Sequence, residues 1–287
     1  MTSIGASRGY SYRVRQYAGR LALYTILYVI LAVIVVPLLF AILGGFRTTG
    51  QIAAEPVGLP DPWVLSNYLD TLALPAFWSQ MLSSTVIALV TTALVLPAAS
   101  LAAFVIARYR FRGREGFYTL FTLGLLFPVA VAILPLFIVL RQLGLLNNPL
   151  GVALPQAAFA LPLSIVILRP FIRSIPRDLE DAAAIDGCSS LRFYWSVVLP
   201  LSRPAMATVA ILTIVTSWNA FLLPLHVLIQ PDQWTIPIGV NNISAQYTSD
   251  TARVLAYTTL SMVPALIFYV LAERQIVRGL TTGSVKG

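Results

Sequence analysis

Side chains able to do chemistry are scarce in this chain and concentrated in one place. Residues 177–190, RDLEDAAAIDGCSS, carry five charged groups, whereas only 10% of the 287 residues are charged. Elsewhere the means for catalysis are missing. The only lysine is Lys286, so no Gly-Lys-Ser/Thr element opens a helix to cradle phosphate. The only histidine, His226, rules out a His-Glu-x-x-His zinc site. The only cysteine, Cys188, rules out an internal disulfide and a cysteine metal cluster. Neither GxSxG nor GxGxxG occurs. No catalytic residue, bound cofactor or metal site is expected, and the chain is not expected to be an enzyme.

The elements around the polar stretch are apolar. Hydrophobic residues make up 58% of the chain, and its mean hydropathy is +0.82. A soluble domain carries about 25% charged residues, so the class is integral membrane protein. Six runs contain no Asp, Glu, Lys or Arg: 21–46, 71–107, 116–140, 142–168, 204–231 and 254–272. Each is long enough for a spanning helix, which needs roughly 20 apolar residues at about 1.5 Å rise each. The run 71–107 exceeds one span, and Trp78 marks where it meets the interface. The shorter run 233–249 contains Gln233, Asn241, Asn242 and Gln246 and reads as a loop. The first run is too long for the apolar core of a cleaved leader and reads as an uncleaved span. The fold class is therefore all-α, polytopic, with six transmembrane helices between a segment 1–20 and a tail 274–287.

Basic residues orient these spans. Sixteen of 19 lie on one side: in the N-terminal segment, in 108–114, in 169–203 and in the tail. Arg47, Arg141 and Arg253 fall on the other. The positive-inside rule makes both termini cytoplasmic and the protein a multi-pass component of the cell membrane. The net charge of +8 then reflects topology, and no nucleic-acid motif accompanies it.

The spans hold no carboxylate, which argues against a proton- or ion-driven transporter, since such groups mark ion paths. Energy for any transport has to come from elsewhere. Prolines lie within the six runs, among them Pro37, Pro97, Pro128, Pro135, Pro155, Pro162, Pro224 and Pro264. They suit kinked helices around a gated path, and equally the general abundance of proline in spanning helices. Trp218, Asn219 and Gln156 are polar or amphipathic groups in the fifth and fourth runs. A buried amide needs a partner; each either joins helices or lines a path for a hydroxyl-rich solute. His226 reads as a hydrogen-bonded interfacial residue or a substrate contact.

The polar stretch itself spells a short helix, a turn and a second short helix. Asp178, Glu180 and Asp181 complement a helix N-terminus. Leu179, Ala182 and Ala183 share one apolar face. Gly187 is placed to end the helix in a left-handed cap. Ser189 and Ser190 can cap the next helix, whose Leu191, Tyr194, Trp195 and Val198 form an amphipathic stripe stopped by Leu199-Pro200. Small residues at the corner let another surface approach. An acidic helix is ill suited to an anionic leaflet, so a protein partner fits better than lipid headgroups.

This stretch resembles the EAA loop of ABC-importer permeases: Glu-Ala-Ala, three residues, Gly, nine residues, Ile-x-Leu-Pro. Aligned on Gly187, the alanines are Ala182 and Ala183, and the motif ends at Val197, Leu199 and Pro200. Asp181 stands for Glu and Val197 for Ile. The stretches SIPRDLEDAAAIDGCS, SWNAFLLPL and RGLTTGSVKG resemble the carbohydrate-type, MalG-like branch, and the similarity runs from the first span onward.

The resemblance implies that the loop, about 171–203, is a coupling helix seated on an ATPase subunit, with Glu180, Asp181, Ala182, Ala183, Asp186 and Gly187 at the contact. It implies a second homologous permease, two ATPase subunits holding ATP and Mg, and an extracytoplasmic solute-binding protein. The segment 235–250 would meet that protein through Asn241, Asn242, Gln246 and Tyr247; on composition alone it is equally a solvated loop. The tail would reach toward the ATPase pair. The expected cargo is a sugar or oligosaccharide. Alternatives are another solute such as glycerol phosphate, or an ATP-independent channel or secondary transporter.

Overall fold

The computed structural model describes residues 5–247 and 250–281. The stretch Thr282 to Gly287, read above as the end of the tail, lies outside the described residues. Two compact units divide the chain: residues 1–71 with 247–259, and residues 72–246 with 260–287.

In the first unit, α1 (Gly5–Gly44) takes up the first apolar run and most of the segment before it. Its large side chains from Leu21 to Ile34 are exposed, as expected of a helix that is apolar all round and meets lipid or other protein. α2 (Thr49–Ala54) opens on a reciprocal cap: Gln51 N–H donates to Thr48 Oγ1 and Thr48 N–H to Gln51 Oε1. Arg47 is buried, and no carboxylate among the described residues pairs with it. Its guanidinium donates instead to the Gln51 and Glu55 carbonyls at 2.8 and 2.6 Å. From α3 (Ser66–Ala73), the Tyr68 hydroxyl donates to the Ile42 carbonyl at 2.7 Å. Burial pushes this phenol above its ordinary range, so the donated proton stays on. Thr49 Oγ1 donates to Asp250 at 2.9 Å, and Arg253 pairs with Asp70 at 3.1 Å.

The second unit runs through α4 (Pro75–Arg108), α5 (Arg114–Gly124), α6 (Val129–Gln142), α7 (Pro149–Ser174), α8 (Asp178–Ile185) and α9 (Ser190–Phe193). A π turn (Tyr194–Val198) leads to α10 (Leu199–Leu201), α11 (Arg203–Trp218), α12 (Leu222–Val227), a 3-10 turn (Pro231–Gln233) and α13 (Ile236–Gln246). The last helix, α14 (Thr251–Thr281), begins in the first unit and continues in the second.

α4 packs lengthwise on α7, and α11 packs on both. The seam is made by Val95, Ala99 and Ala103 of α4 against Ile165, Leu168 and Ile172 of α7, all buried, with Val209 of α11 in the same cluster. These spacings place each set on one helical face, and the alanines let the backbones approach closely. A second cluster, Ile87, Leu140, Val152, Leu223 and Val227, joins α4, α6, α7 and α12.

Among the described residues, four helices are long and apolar enough to cross a membrane, and six if each of two bent pairs counts as one span. The bent pairs refine the expectation. The third run turns by 96° between α5 and α6. Pro128 has no N–H to continue the ladder and biases Phe127 out of the helical region. The second bent pair joins Ser190–Leu201 to α11 at 76° about Ser202, so this bend lies just before the fifth run and not within it. The run 204–231 is not one helix: α11 stops at Trp218, and Asn219 Nδ2 bonds the Val215 carbonyl at 2.8 Å beside its own N–H. Most interior prolines, by contrast, are absorbed. Pro97 lies within continuous α4, and Pro155, Pro162 and Pro170 within continuous α7.

The run 233–249 is not a loop. Residues 236–246 form α13, whose Ile236, Gly239 and Ile243 are buried at helical spacing. Its start is pinned to α4, where Ile236 N–H donates to Ser84 Oγ at 2.8 Å. Polar residues on one face concealed an amphipathic period in a short segment.

Candidate functional site

The polar stretch forms the corner expected of it. α8 begins with three carboxylates in its first turn, and none of its residues is buried. It ends in a complete Schellman cap. Gly187 sits at φ 73°, its N–H donates to the Ala184 carbonyl at 3.0 Å, and Cys188 N–H donates to Ala183 at 2.8 Å. A Cβ on Gly187 would meet open space, so only its backbone conformation calls for glycine here. Ser189 then caps α9 by accepting from Arg192 N–H at 3.4 Å.

The residues of the corner divide into two groups. Asp181, Ala182, Asp186 and Gly187 are exposed, and between them Ile185 is 86% exposed, an apolar side chain presented at the tip. Ala183 and Cys188 are half-buried against the core. Glu180 turns inward, with Oε2 3.5 Å from Nη1 of Arg108 at the end of α4. The second stripe is split differently from its spacing. Tyr194 and Val198 are buried with Phe193, while Leu191 and Trp195 are exposed. The π turn at Tyr194–Val198 shifts the register, so the face predicted for a regular helix does not persist.

Away from the corner, a cavity of about 460 Å³ lies among α4, α5, α7 and α11. Gln156 lines it and is its most polar group. Its Oε1 accepts from Ser217 Oγ at 2.5 Å and from Thr91 Oγ1 at 3.2 Å, so one amide ties α7 to both α11 and α4. Its Nε2 is buried and finds no hydrogen-bond partner among the described residues, a condition that costs about 1–3 kcal/mol. Thr213, Thr216 and Ser164 add hydroxyls to the lining, and Phe127 and Phe159 add an aromatic wall, their rings stacked at 6.4 Å. Among the described residues, no charged side chain lines the cavity. Gly124 brings α5 to its rim, where a Cβ would lie 3.0 Å from Pro162.

Of the three path residues read from sequence, the structure brings only Gln156 to this cavity. Trp218 is buried but does not line it, and Asn219 is exposed and occupied in ending α11. Thr91 and Ser217, which hold Gln156, gave no sequence signal, because hydroxyls bonded within helices are common. His226 is exposed and bonds the Leu222 carbonyl through Nδ1 at 2.7 Å. On α13, Asn241 and Gln246 are exposed and Asn242 is half-buried. Tyr247 belongs to the other unit, where the Arg253 guanidinium lies 4.9 Å over its ring.

Comparison with known proteins agrees with this architecture. Residues 95–278 match the family described as binding-protein-dependent transport system inner membrane component. The diacetylchitobiose uptake system permease protein NgcG of Streptomyces coelicolor is 35% identical over 88% of this chain and 85% of its own. The arabinooligosaccharides transport system permease protein AraQ of Halalkalibacterium halodurans is 34% identical, covering 88% and 91%. The trehalose transport system permease protein SugB of Mycobacterium tuberculosis is also 34% identical, covering 80% and 84%. A crystal structure of a bacterial ABC transporter that imports the acidic polysaccharide alginate superposes with a TM-score of 0.78 over 91% of this chain and 97% of that one; at 20% identity this is a likeness of fold. The chain belongs to the family of inner-membrane components of binding-protein-dependent transport systems, the permease subunits of ABC importers.

Proposed function

We propose that this chain is one of two transmembrane subunits of an ATP-driven importer that takes a neutral sugar or oligosaccharide from an extracytoplasmic binding protein and moves it into the cell. The observation that carries the reading is α8 with its capped corner. An exposed helix of small residues with Ile185 at its tip, on the arginine-rich side of the spans, has the shape to seat in an ATPase subunit. On this reading both termini are cytoplasmic, a second permease completes the path, and two ATPase chains hold ATP and Mg. The alginate importer has been crystallised with a pentasaccharide-bound periplasmic protein, which supports a binding protein here too. Names of relatives support a saccharide cargo. The uncharged lining of the cavity disfavours an anionic solute such as glycerol phosphate, which would call for a cation on its path.

The test is reconstitution. Vesicles holding this chain with its partner permease, ATPase and binding protein should accumulate trehalose, diacetylchitobiose or arabinotriose only with ATP inside. Vesicles holding this chain alone should not. Uptake by the chain alone, or preference for glycerol phosphate, would refute the reading.

A further inference from the structure

Two helices that wall the cavity meet again well beyond it, on a single peptide group. Arg108, the last residue of α4, donates from Nη2 to the carbonyl of Ile175 at 2.8 Å, and its Nη1 lies 3.5 Å from Glu180 Oε2. Ile175 directly follows α7, and Glu180 lies in the first turn of α8. The Arg108 side chain is 2% exposed. An arginine that served only to mark one side of the membrane would sit in water, as Arg110 and Arg112 do. A guanidinium this buried is costly unless fixed by directional bonds, and its planar fork reaches two acceptors at once.

A second tie repeats the connection. Ser100 Oγ and the Tyr194 hydroxyl, both buried, are 2.7 Å apart. α4 is thus fastened to the loop before α8 at Ile175, within α8 at Glu180, and beyond it at Tyr194. Yet α4 is not joined to the loop by the chain; α7 and α11 are. Higher on α4, about 26 Å from Arg108 at 1.5 Å per residue, Thr91 bonds Gln156 of α7.

We propose that Arg108 is the positioning residue that makes α4 follow α8, so that two walls of the cavity move as one body when α8 is displaced. The proposal rests on α8 being the element an ATPase moves. Without Arg108, α4 keeps its buried seam with α7 and the Ser100–Tyr194 contact, but its end at 108 loses the bonds that tie it directly to Ile175 and Glu180, so displacement of α8 is passed on to it less tightly.

The experiment compares wild type with Arg108→Gln, Arg108→Lys and Glu180→Gln in the reconstituted importer, using whichever of trehalose, diacetylchitobiose or arabinotriose the wild type accumulates. Arg108→Gln should assemble with its ATPase and keep binding-protein-stimulated ATP hydrolysis within about twofold, while sugar moved per ATP falls about tenfold or more. Arg108→Lys, which keeps the charge and one donor, should recover part of that ratio. Glu180→Gln should lose less than Arg108→Gln, because the Ile175 bond survives. Hydrolysis and uptake falling in parallel, or an unchanged ratio, would overturn the proposal. If Arg108→Gln fails to assemble, the ratio in Arg108→Lys decides: reduced supports the proposal, unchanged overturns it. Wild-type vesicles that move none of the sugars, or move them without ATP, defeat the importer reading itself.

Discussion

Nη2 of Arg169 donates to both carboxylate oxygens of Glu115, at 2.6 and 2.7 Å, and its guanidinium lies 3.8 Å over the Tyr118 ring. The contact ties the start of α5 to α7. It is lopsided: the Arg169 side chain is 8% exposed and that of Glu115 is 59%. Removing the two partners should therefore have unequal effects. Glu115→Ala strands a buried cation, whereas Arg169→Met leaves an exposed carboxylate still in reach of Arg114 at 2.8 Å. Thermal unfolding of the purified protein should show the larger fall in Tm for Glu115→Ala. Equal or reversed shifts would contradict this account of the pair.

Gly187 separates conformation from docking. Its positive φ costs an ordinary L-residue about 1–2 kcal/mol, and valine more, because it is β-branched. Asparagine tolerates that region. Gly187→Val should lower the yield of folded protein. Gly187→Asn should fold normally but add bulk to the exposed corner. An accompanying loss of about 1.4 kcal/mol in docking would appear as tenfold weaker ATPase binding, readable by titration of the labelled ATPase subunit. Unaltered binding by Gly187→Asn would exclude the corner from the contact.

At Gln156, stability and transport should part company. Gln156→Leu removes an unpartnered buried amide nitrogen along with the acceptor for Thr91 and Ser217, so unfolding free energy should change by no more than about 1 kcal/mol. ATP-driven sugar uptake should nonetheless drop, since the most polar group of the cavity is gone. Thr91→Val removes one of two donors and should cost about 0.5–1.5 kcal/mol with a milder effect on uptake. A large loss of stability in Gln156→Leu with normal uptake per folded complex would make the residue a helix tie alone.

Asn147 holds the turn between α6 and α7. It sits at φ 54°, and its Oδ1 accepts the backbone N–H groups of Ile229 at 2.7 Å and Gln230 at 2.9 Å. Asn147→Ala should destabilise by about 0.5–1.5 kcal/mol, the net worth of hydrogen bonds at this exposed turn, and Asn147→Asp, which keeps the acceptor, should restore most of it. Denaturant titration of the two variants tests the order.

What the sequence by itself determined is local in kind. Six apolar stretches separated by charge gave the membrane class and an expectation of six crossings, which the described residues meet if each bent pair counts as one span, because transfer free energy is summed along the chain. The corner at Gly187 was legible for the same reason: its acidic first turn, left-handed cap and serine N-cap depend on neighbours within a few positions. The tertiary structure alone decided which way side chains face. It turned Glu180 inward onto Arg108, hid Trp218, left Asn219 outside the cavity and gave Gln156 its partners on two other helices. It also made a helix of 236–246, whose buried side chains and Ser84 contact depend on α4 lying alongside. Rotation of a helix about its axis is set by packing against segments far away in sequence, and spacing along one helix carries no record of it when both faces are apolar.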